Sequence, residues 1–362
     1  MATRIPVGIL GATGMVGQNF IRLLENHPWF EVTYVAASPS SAGKTFAQAV
    51  AGRWHMTTPL PAAIGKLVVE DASNVAAAKG RCALMFSAVD LDKKAIAALE
   101  VAYAAAGFAV VSNNSAHRGT PDVPMIIPEV NPEHLDVIAA QRQARGWTTG
   151  CLAVKSNCSI QSYMTPIWAL MQAGYQPKRI ILSTMQAVSG AGYPGVPSLD
   201  IVDNIIPYIG GEEEKSEIEP LKVFGRVANG VIVPNADIKI SAHCNRVAVI
   251  DGHTACVSLE FAGAKPKLEE IVPIWRAFTA VPQSLELPMA PKQPIIYTEE
   301  ANRPQPRKDR DLDKAMAVTV GRLRACNVFD IRFVGLHHNT VRGASGGAIL
   351  TAELMKARGL IG

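Results

Sequence analysis

Short, uninterrupted apolar runs alternate with stretches of helical spacing over the first third of the chain. "PVGIL" from Pro6 predicts a buried strand, and "MVGQNFIRLLENH" from Met15 carries apolar residues at helical intervals. "EVTYVAA", "CALMFSAV" and "FAVVSN" predict further strands, and "DKKAIAALEVAYAAAG" an alanine-rich helix ending at Gly107. Such alternation favours a parallel sheet with helices on both faces. After about residue 150 the pattern changes to long β-branched stretches, "RIILSTMQAVSG", "GVIVPNADIKISAHCNRVAVIDGHTACVSLEFAG" and "AMAVTVGRLRACNVFDIRFVGL". These predict a mostly antiparallel sheet, with a turn signal at Asp251–Gly252. The Pro-rich segment 282–306 reads as an extended connection, and "GGAILTAELMKARG" as a final amphipathic helix able to pack back on the first sheet.

Length and composition fit this picture. The 362 residues suggest about two domains, and 48% hydrophobic residues suffice for a sizeable core. The net charge of +4 comes from scattered basic residues, so nucleic acid is not implied, although small anions would be tolerated. No signal-like segment and no run of membrane-spanning length is present, which leads to the expectation of a soluble, cytoplasmic protein. Six cysteines form no C-x-x-C pair, consistent with a reducing compartment. His243, Cys244, His253 and Cys256 are close in sequence but lack zinc-ligand spacing, so no metal is expected.

"VGILGATGMVGQNF" places Gly11, Gly14 and Gly17 between a strand and a helix. A turn without Cβ atoms lets backbone N–H groups and the positive helix end approach a pyrophosphate. The spacing departs from G-x-G-x-x-G, and a tight turn without a ligand would look similar. No carboxylate ends the second strand, where an NAD site usually has one. Ser38, Ser40, Ser41 and Lys44 stand there instead and suit a 2′-phosphate, which favours NADP over NAD.

A hydride carrier paired with a reactive thiol suggests acyl-thioester chemistry, which needs a nucleophile, a base, oxyanion donors and an anion site. Cys158, in "VKSNCSI", follows polar Ser156 and Asn157 and precedes an apolar run that could be a helix. Its N-terminus would favour thiolate. Cys82, Cys256 and Cys326 lie in or beside strand patterns and read as core, while Cys151 and Cys244 stay undecided. Among the histidines, His253 after the Asp251–Gly252 turn leads over His243, His337 and His338. Arg246 lies seven residues earlier, and the turn between them can bring both to one pocket.

"GILGATGMVGQ", "SNCS", "QAVSGAGYPG", "GGEEEKSEIEPLK", "NRVAVIDGH" and "HNTVRGASGG" occur in this order. Together they resemble aspartate-semialdehyde dehydrogenase, in the archaeal and fungal form, nearly from end to end. The resemblance implies a glyceraldehyde-3-phosphate-dehydrogenase-like α/β fold. Its NADP-binding Rossmann domain would span 1–150 and 343–362, and a catalytic and oligomerisation domain 151–342. It implies NADPH-dependent reductive dephosphorylation of β-aspartyl phosphate to aspartate semialdehyde, on the route to lysine, methionine, threonine and isoleucine, in a homodimer or homotetramer. Cys158 matches the acylated thiol, His253 the general acid/base and Gln186 a substrate-orienting amide, and Asn157 is a candidate oxyanion donor. Arg246 matches the carboxylate-binding arginine, Glu213 and Lys215 substrate and phosphate contacts, and Arg118 a phosphate ligand. The cofactor set is Gly11, Thr13, Gly14, Met15, Val16, Gly17, Ser87, Ser189, Gly190 and Asn339, with the Ser38–Lys44 group. Taken alone, "GEEEKSEIEPLK" could be a solvated helix and Arg246 a surface residue of an edge strand. Malonyl-CoA reductase resembles this chain in "SGAGYPG" and "HNTVRGA" but departs at "SNCS" and "EEEK", and N-acetyl-γ-glutamyl-phosphate reductase departs after its cysteine. A non-catalytic NADP-binding regulator and a cysteine hydrolase are the alternatives of other classes.

Overall fold

Apolar runs without polar interruption are stable only when covered on both faces, and the first sheet of this computed structural model, which describes residues 4–361, is built from them. Its seven strands run in the order Val69–Asp71, Phe30–Ala37, Ile5–Leu10, Leu84–Ser87, Ala109–Ser112, Cys151–Lys155 and Met125–Ile126. Every pairing is parallel. The chain winds outward from Ile5–Leu10 and then restarts on its other side at Leu84–Ser87, which opens a crevice at the carboxyl ends of those two strands. The helix Met15–Leu24 begins there. Helix Lys93–Ala105 is capped by Asp92, whose side chain accepts from the Lys94 and Ala95 N–H groups at 2.9 and 3.0 Å, as the D-K-K start suggests.

The second sheet has six strands, ordered Lys239–Arg246, Gln176–Gln186, His253–Ala262, Ile331–His337, Val318–Ala325 and Ile295–Thr298. Its three inner pairings are antiparallel and its two edge pairings parallel. One expectation holds locally and one needs correction. The Asp251–Gly252 turn joins no hairpin, because Gln176–Gln186 lies between the strands on either side of it. Local turn chemistry is satisfied, with Gly252 at φ +106°, but the sheet order is set by long-range pairing. The Pro-rich segment is not merely a connection, since Ile295–Thr298 forms the edge strand, where missing N–H groups are tolerated.

One sheet face packs on helices Met164–Gln172 and Leu268–Ala277. The strand Gln176–Gln186 alternates buried and exposed accordingly. Helix Gly346–Ala357 returns to the first sheet, buried almost all round, in the same apolar cluster as Val7, Phe86 and Val111. It is fastened by Ser345 Oγ donating to Val16 O at 3.1 Å, and just before it Asn19 Nδ2 donates to Thr340 O at 2.5 Å. Among the described residues no helix is long and apolar enough to cross a membrane.

Candidate active site

The glycine turn closes the crevice of the first sheet. Gly11 has φ +78°, and a Cβ there would meet Ala88 O at 2.3 Å. A Cβ on Gly17 would meet Gly11 O at the same 2.3 Å, whereas Gly14 has only Gly11 O at 3.5 Å. Gly11 and Gly17 are therefore demanded by packing and Gly14 is not. Gly14 caps the helix without a side chain, so the first N–H groups are left open beside Met15 and Val16, which line a cleft of about 920 Å³. Ser189, Gly190, Asn113, Asn114, Asn339 and Cys158 line the same cleft. Asn339 bridges its walls, donating to Ser189 Oγ at 2.8 Å and accepting from Gly252 N–H at 2.7 Å.

Other members of the expected cofactor set stand apart. The Ser87 hydroxyl is fully buried and donates to Glu100 Oε1 at 2.7 Å, so it supports the crevice floor and does not face a ligand. Ser41 is buried, while Ser38, Ser40 and Lys44 are exposed on the loop after Phe30–Ala37, where Lys44 Nζ donates to Ser40 O at 2.9 Å. The Thr13 carbonyl accepts from Gln18 Nε2 at 2.9 Å.

Cys158 follows directly from the strand Cys151–Lys155. A single 3₁₀ turn, Ser159–Ser162, separates it from the helix Met164–Gln172, so the helical run is broken and not continuous. Cys158 Sγ lies 3.4 Å from His253 Nε2. Arg246 and Gln186 share a register position on adjoining strands, with Arg246 Nη1 donating to Ala187 O at 2.7 Å. A Cβ on Gly190 would stand 2.9 Å from Arg246 Nη1 and 3.2 Å from His253 Nε2, so this glycine lets the 188–191 turn lie directly over both. Burial, with Glu212 next, pushes the Cys158 thiol up to about 11, against Lys155, Arg118 and Arg246.

Glu212 holds the centre of the remaining charges. It accepts from Asn157 Nδ2 at 2.9 Å, from Lys215 Nζ at 2.8 Å and from Gln186 Nε2 at 3.4 Å. This corrects two expectations. The Asn157 backbone N–H donates to Glu219 Oε2 at 2.5 Å and is not free for an oxyanion, while its side-chain nitrogen is turned onto the Glu212 carboxylate at 2.9 and 3.0 Å. Glu213, one residue round the helix, accepts from Cys244 N–H at 3.1 Å and lies off the cleft, which Glu212 lines. The helix turns Glu212, Ser216, Glu219 and Val223, spaced four, three and four residues apart, to its buried face, and Glu213 is not among them. Arg118 lines the cleft but has donated to Glu219 Oε1 at 2.9 Å, to Lys155 O at 2.9 Å and to Asn113 O at 3.0 Å. Two of its five N–H groups remain for a ligand.

Two more buried groups lie beside the thiol: Lys155, which the sequence reading did not mark, and His337, which it ranked below His253. Lys155 is enclosed, donates to Ser156 O at 2.8 Å, and is held down at about 7 by burial. His337 sits opposite His253 in register, with ring centroids 5.7 Å apart. Of the rival histidines, His243 is exposed and His338 lies 3.6 Å from Asp311 at the cleft edge. No metal-binding cluster occurs among the described residues.

A thiol–imidazole pair opening on a glycine-lined parallel-sheet crevice defines the class as a nicotinamide-dependent aldehyde dehydrogenase that works through a cysteine. Residues 6–138 match the family model described as semialdehyde dehydrogenase, NAD binding domain, and residues 167–342 the one described as semialdehyde dehydrogenase, dimerisation domain. The aspartate-semialdehyde dehydrogenase of Methanothermobacter thermautotrophicus is 45% identical over 97% of this chain and 99% of its own. That of Schizosaccharomyces pombe is 43% identical over 98% and 99%. The crystal structure of the Candida albicans enzyme with NADP superposes with a TM-score of 0.89 at 40% identity, covering 99% of this chain and 100% of that one. The chain belongs to the aspartate-semialdehyde dehydrogenase family.

Proposed function

We propose that this chain catalyses the NADPH-dependent reductive dephosphorylation of β-aspartyl phosphate to L-aspartate 4-semialdehyde through an acyl-thioester on Cys158, in amino-acid biosynthesis. The observation that carries the reading is the 3.4 Å approach of Cys158 Sγ and His253 Nε2 on the cleft that the glycine turn lines. The close contacts at Gly11 and Gly17, and the open helix N-terminus beside them, fit a dinucleotide pyrophosphate. Ser38, Ser40 and Lys44 on the adjoining loop fit a 2′-phosphate. When bound, NADPH supplies the hydride.

Arg246 takes the substrate α-carboxylate in a bidentate fork, a role that suits its planar guanidinium. Lys215 and the two remaining Arg118 donors hold the phosphate. Glu212 orients both Lys215 and the Gln186 amide. Cys158 forms the C–S bond as phosphate leaves. His253 carries its proton on Nε2, because Nδ1 accepts from Ala187 N–H at 3.0 Å, and donates from Nε2 to the oxyanion of each tetrahedral species.

Residues 1–150 with 343–362 form the cofactor domain in this reading, and 151–342 the catalytic and oligomerisation domain. Ile181, Ile205 and Tyr208 leave large apolar surface exposed on and beside the six-stranded sheet, which supports a homodimer or homotetramer built there. Six free cysteines, with none paired, support a reducing cytoplasm. The test compares aspartate semialdehyde with phosphate and NADP against malonyl-CoA with NADPH. Turnover is expected with the first set, and turnover with the second alone would overturn the assignment.

A further inference from the structure

On the reading above, phosphate held by Arg118 must meet the acyl carbon on Cys158, yet the two side chains belong to different loops. Arg118 follows the strand Ala109–Ser112, and Cys158 follows the neighbouring strand Cys151–Lys155. Attack on a thioester tolerates little error in that spacing, since a misplacement of about 1 Å can cost on the order of a hundredfold in rate. A third element, the helix Glu212–Val223, joins the two loops.

Glu219 and Lys222 are buried on that helix, and neither lines the cleft. Glu219 uses both carboxylate oxygens between the loops. Oε1 accepts from Arg118 Nη1 at 2.9 Å, and Oε2 from the Asn157 N–H at 2.5 Å, one residue before the thiol. Lys222 Nζ donates to Arg118 O at 2.8 Å, Thr120 O at 2.7 Å and Val123 O at 2.8 Å. An ammonium has three N–H donors, so none is left for a ligand. Burial lowers the Lys222 pKa to about 8, against Asp122 and Glu219, and the group stays mostly protonated at neutral pH. With its backbone clamped, Arg118 commits three N–H groups to Lys155 O, Glu219 and Asn113 O, which leaves one on each terminal nitrogen.

We propose that Glu219 and Lys222 are positioning residues for phosphate, setting the two free N–H groups of Arg118 at the distance from Cys158 that attack on the thioester requires. Lys222 fixes the backbone of the Arg118 loop, and Glu219 ties the guanidinium to the backbone beside the sulfur. Both act through Arg118 and touch neither substrate nor cofactor. Their loss is therefore felt by phosphate and not by NADP.

The test uses the full chain in the oxidative direction, with aspartate semialdehyde, phosphate and NADP varied in turn. In Lys222→Met the KM for phosphate is expected to rise about tenfold, while KM for NADP and the rate of Cys158 alkylation by iodoacetamide stay within about twofold of wild type. Glu219→Gln should move the same KM in the same direction, and it carries the test should Lys222→Met not fold. The double variant Arg118→Leu with Lys222→Met should be no worse for phosphate than Arg118→Leu alone, because the clamp then has no guanidinium to position. A wild-type KM for phosphate in either folded single variant, a proportional rise in KM for NADP, or effects that multiply in the double variant overturns the proposal. Unchanged use of phosphate by Arg118→Leu overturns the phosphate reading of Arg118 instead.

Discussion

The two halves of the cleft are built from different materials. The nucleotide half is shaped by backbone: two glycines where an added Cβ would stand 2.3 Å from a carbonyl oxygen, and an uncapped helix end. The thiol half is shaped by buried ionisable side chains, Glu212, Lys155, Arg246, His253 and His337, whose charges oppose or support one another. The difference teaches where each is vulnerable. Adding one methyl group harms the first, and removing one charge retunes the second.

The largest expected effect is Cys158→Ala. Turnover should fall by about four orders of magnitude or more, with NADP affinity measured by fluorescence titration unchanged. Loss of NADP binding would mean that the two halves are not independent. Next comes Gly11→Ala, where a positive φ and a clash with Ala88 O combine. It should cost about 2–3 kcal/mol in denaturant unfolding and weaken NADP binding, while Cys158 alkylation keeps its rate in the folded fraction.

Glu212→Gln should act the other way on the thiol. Its carboxylate holds the Cys158 pKa up, so its loss lowers that pKa and speeds alkylation near pH 8 by about tenfold, although substrate use weakens. Slower alkylation would contradict the charge argument. Lys155 gives a pH test of stability. Its folded pKa of about 7 lies below the ordinary value of 10.5, so the unfolded chain binds more protons between them. Stability from this group therefore rises with pH across that window, by about 1.4 kcal/mol per unit, and Lys155→Met should flatten the slope. The smallest effect belongs to the stack of His55 on Tyr193, with centroids 3.6 Å apart, which joins the two walls. Tyr193→Ala should weaken NADP binding only a few-fold.

The same contrast explains what the sequence disclosed. Gly11 and Gly17 were legible because a strand–turn–helix fixes their surroundings within a dozen residues. Cys158 and His253 were found by type and motif order, but their contact spans 95 positions and depends on sheet order. Asn157 and Glu213 were placed by motif alone, and the helix phase moved the contact from Glu213 to its neighbour Glu212. Ser87 entered the cofactor set with the resemblance, yet Glu100, 13 residues later, captures the hydroxyl. His337 stood in the sequence only as a rival to His253, and that the two lie opposite one another depends on strand pairing.

Helix Gly346–Ala357 lies in the core of a sheet whose first strand begins at Ile5. A nascent chain that has emerged only to residue 340 still exposes the apolar face this helix covers. The first sheet completes its core only with residues that follow the second sheet in the chain. Cutting between the two sheets would therefore strip the first sheet of part of its own core.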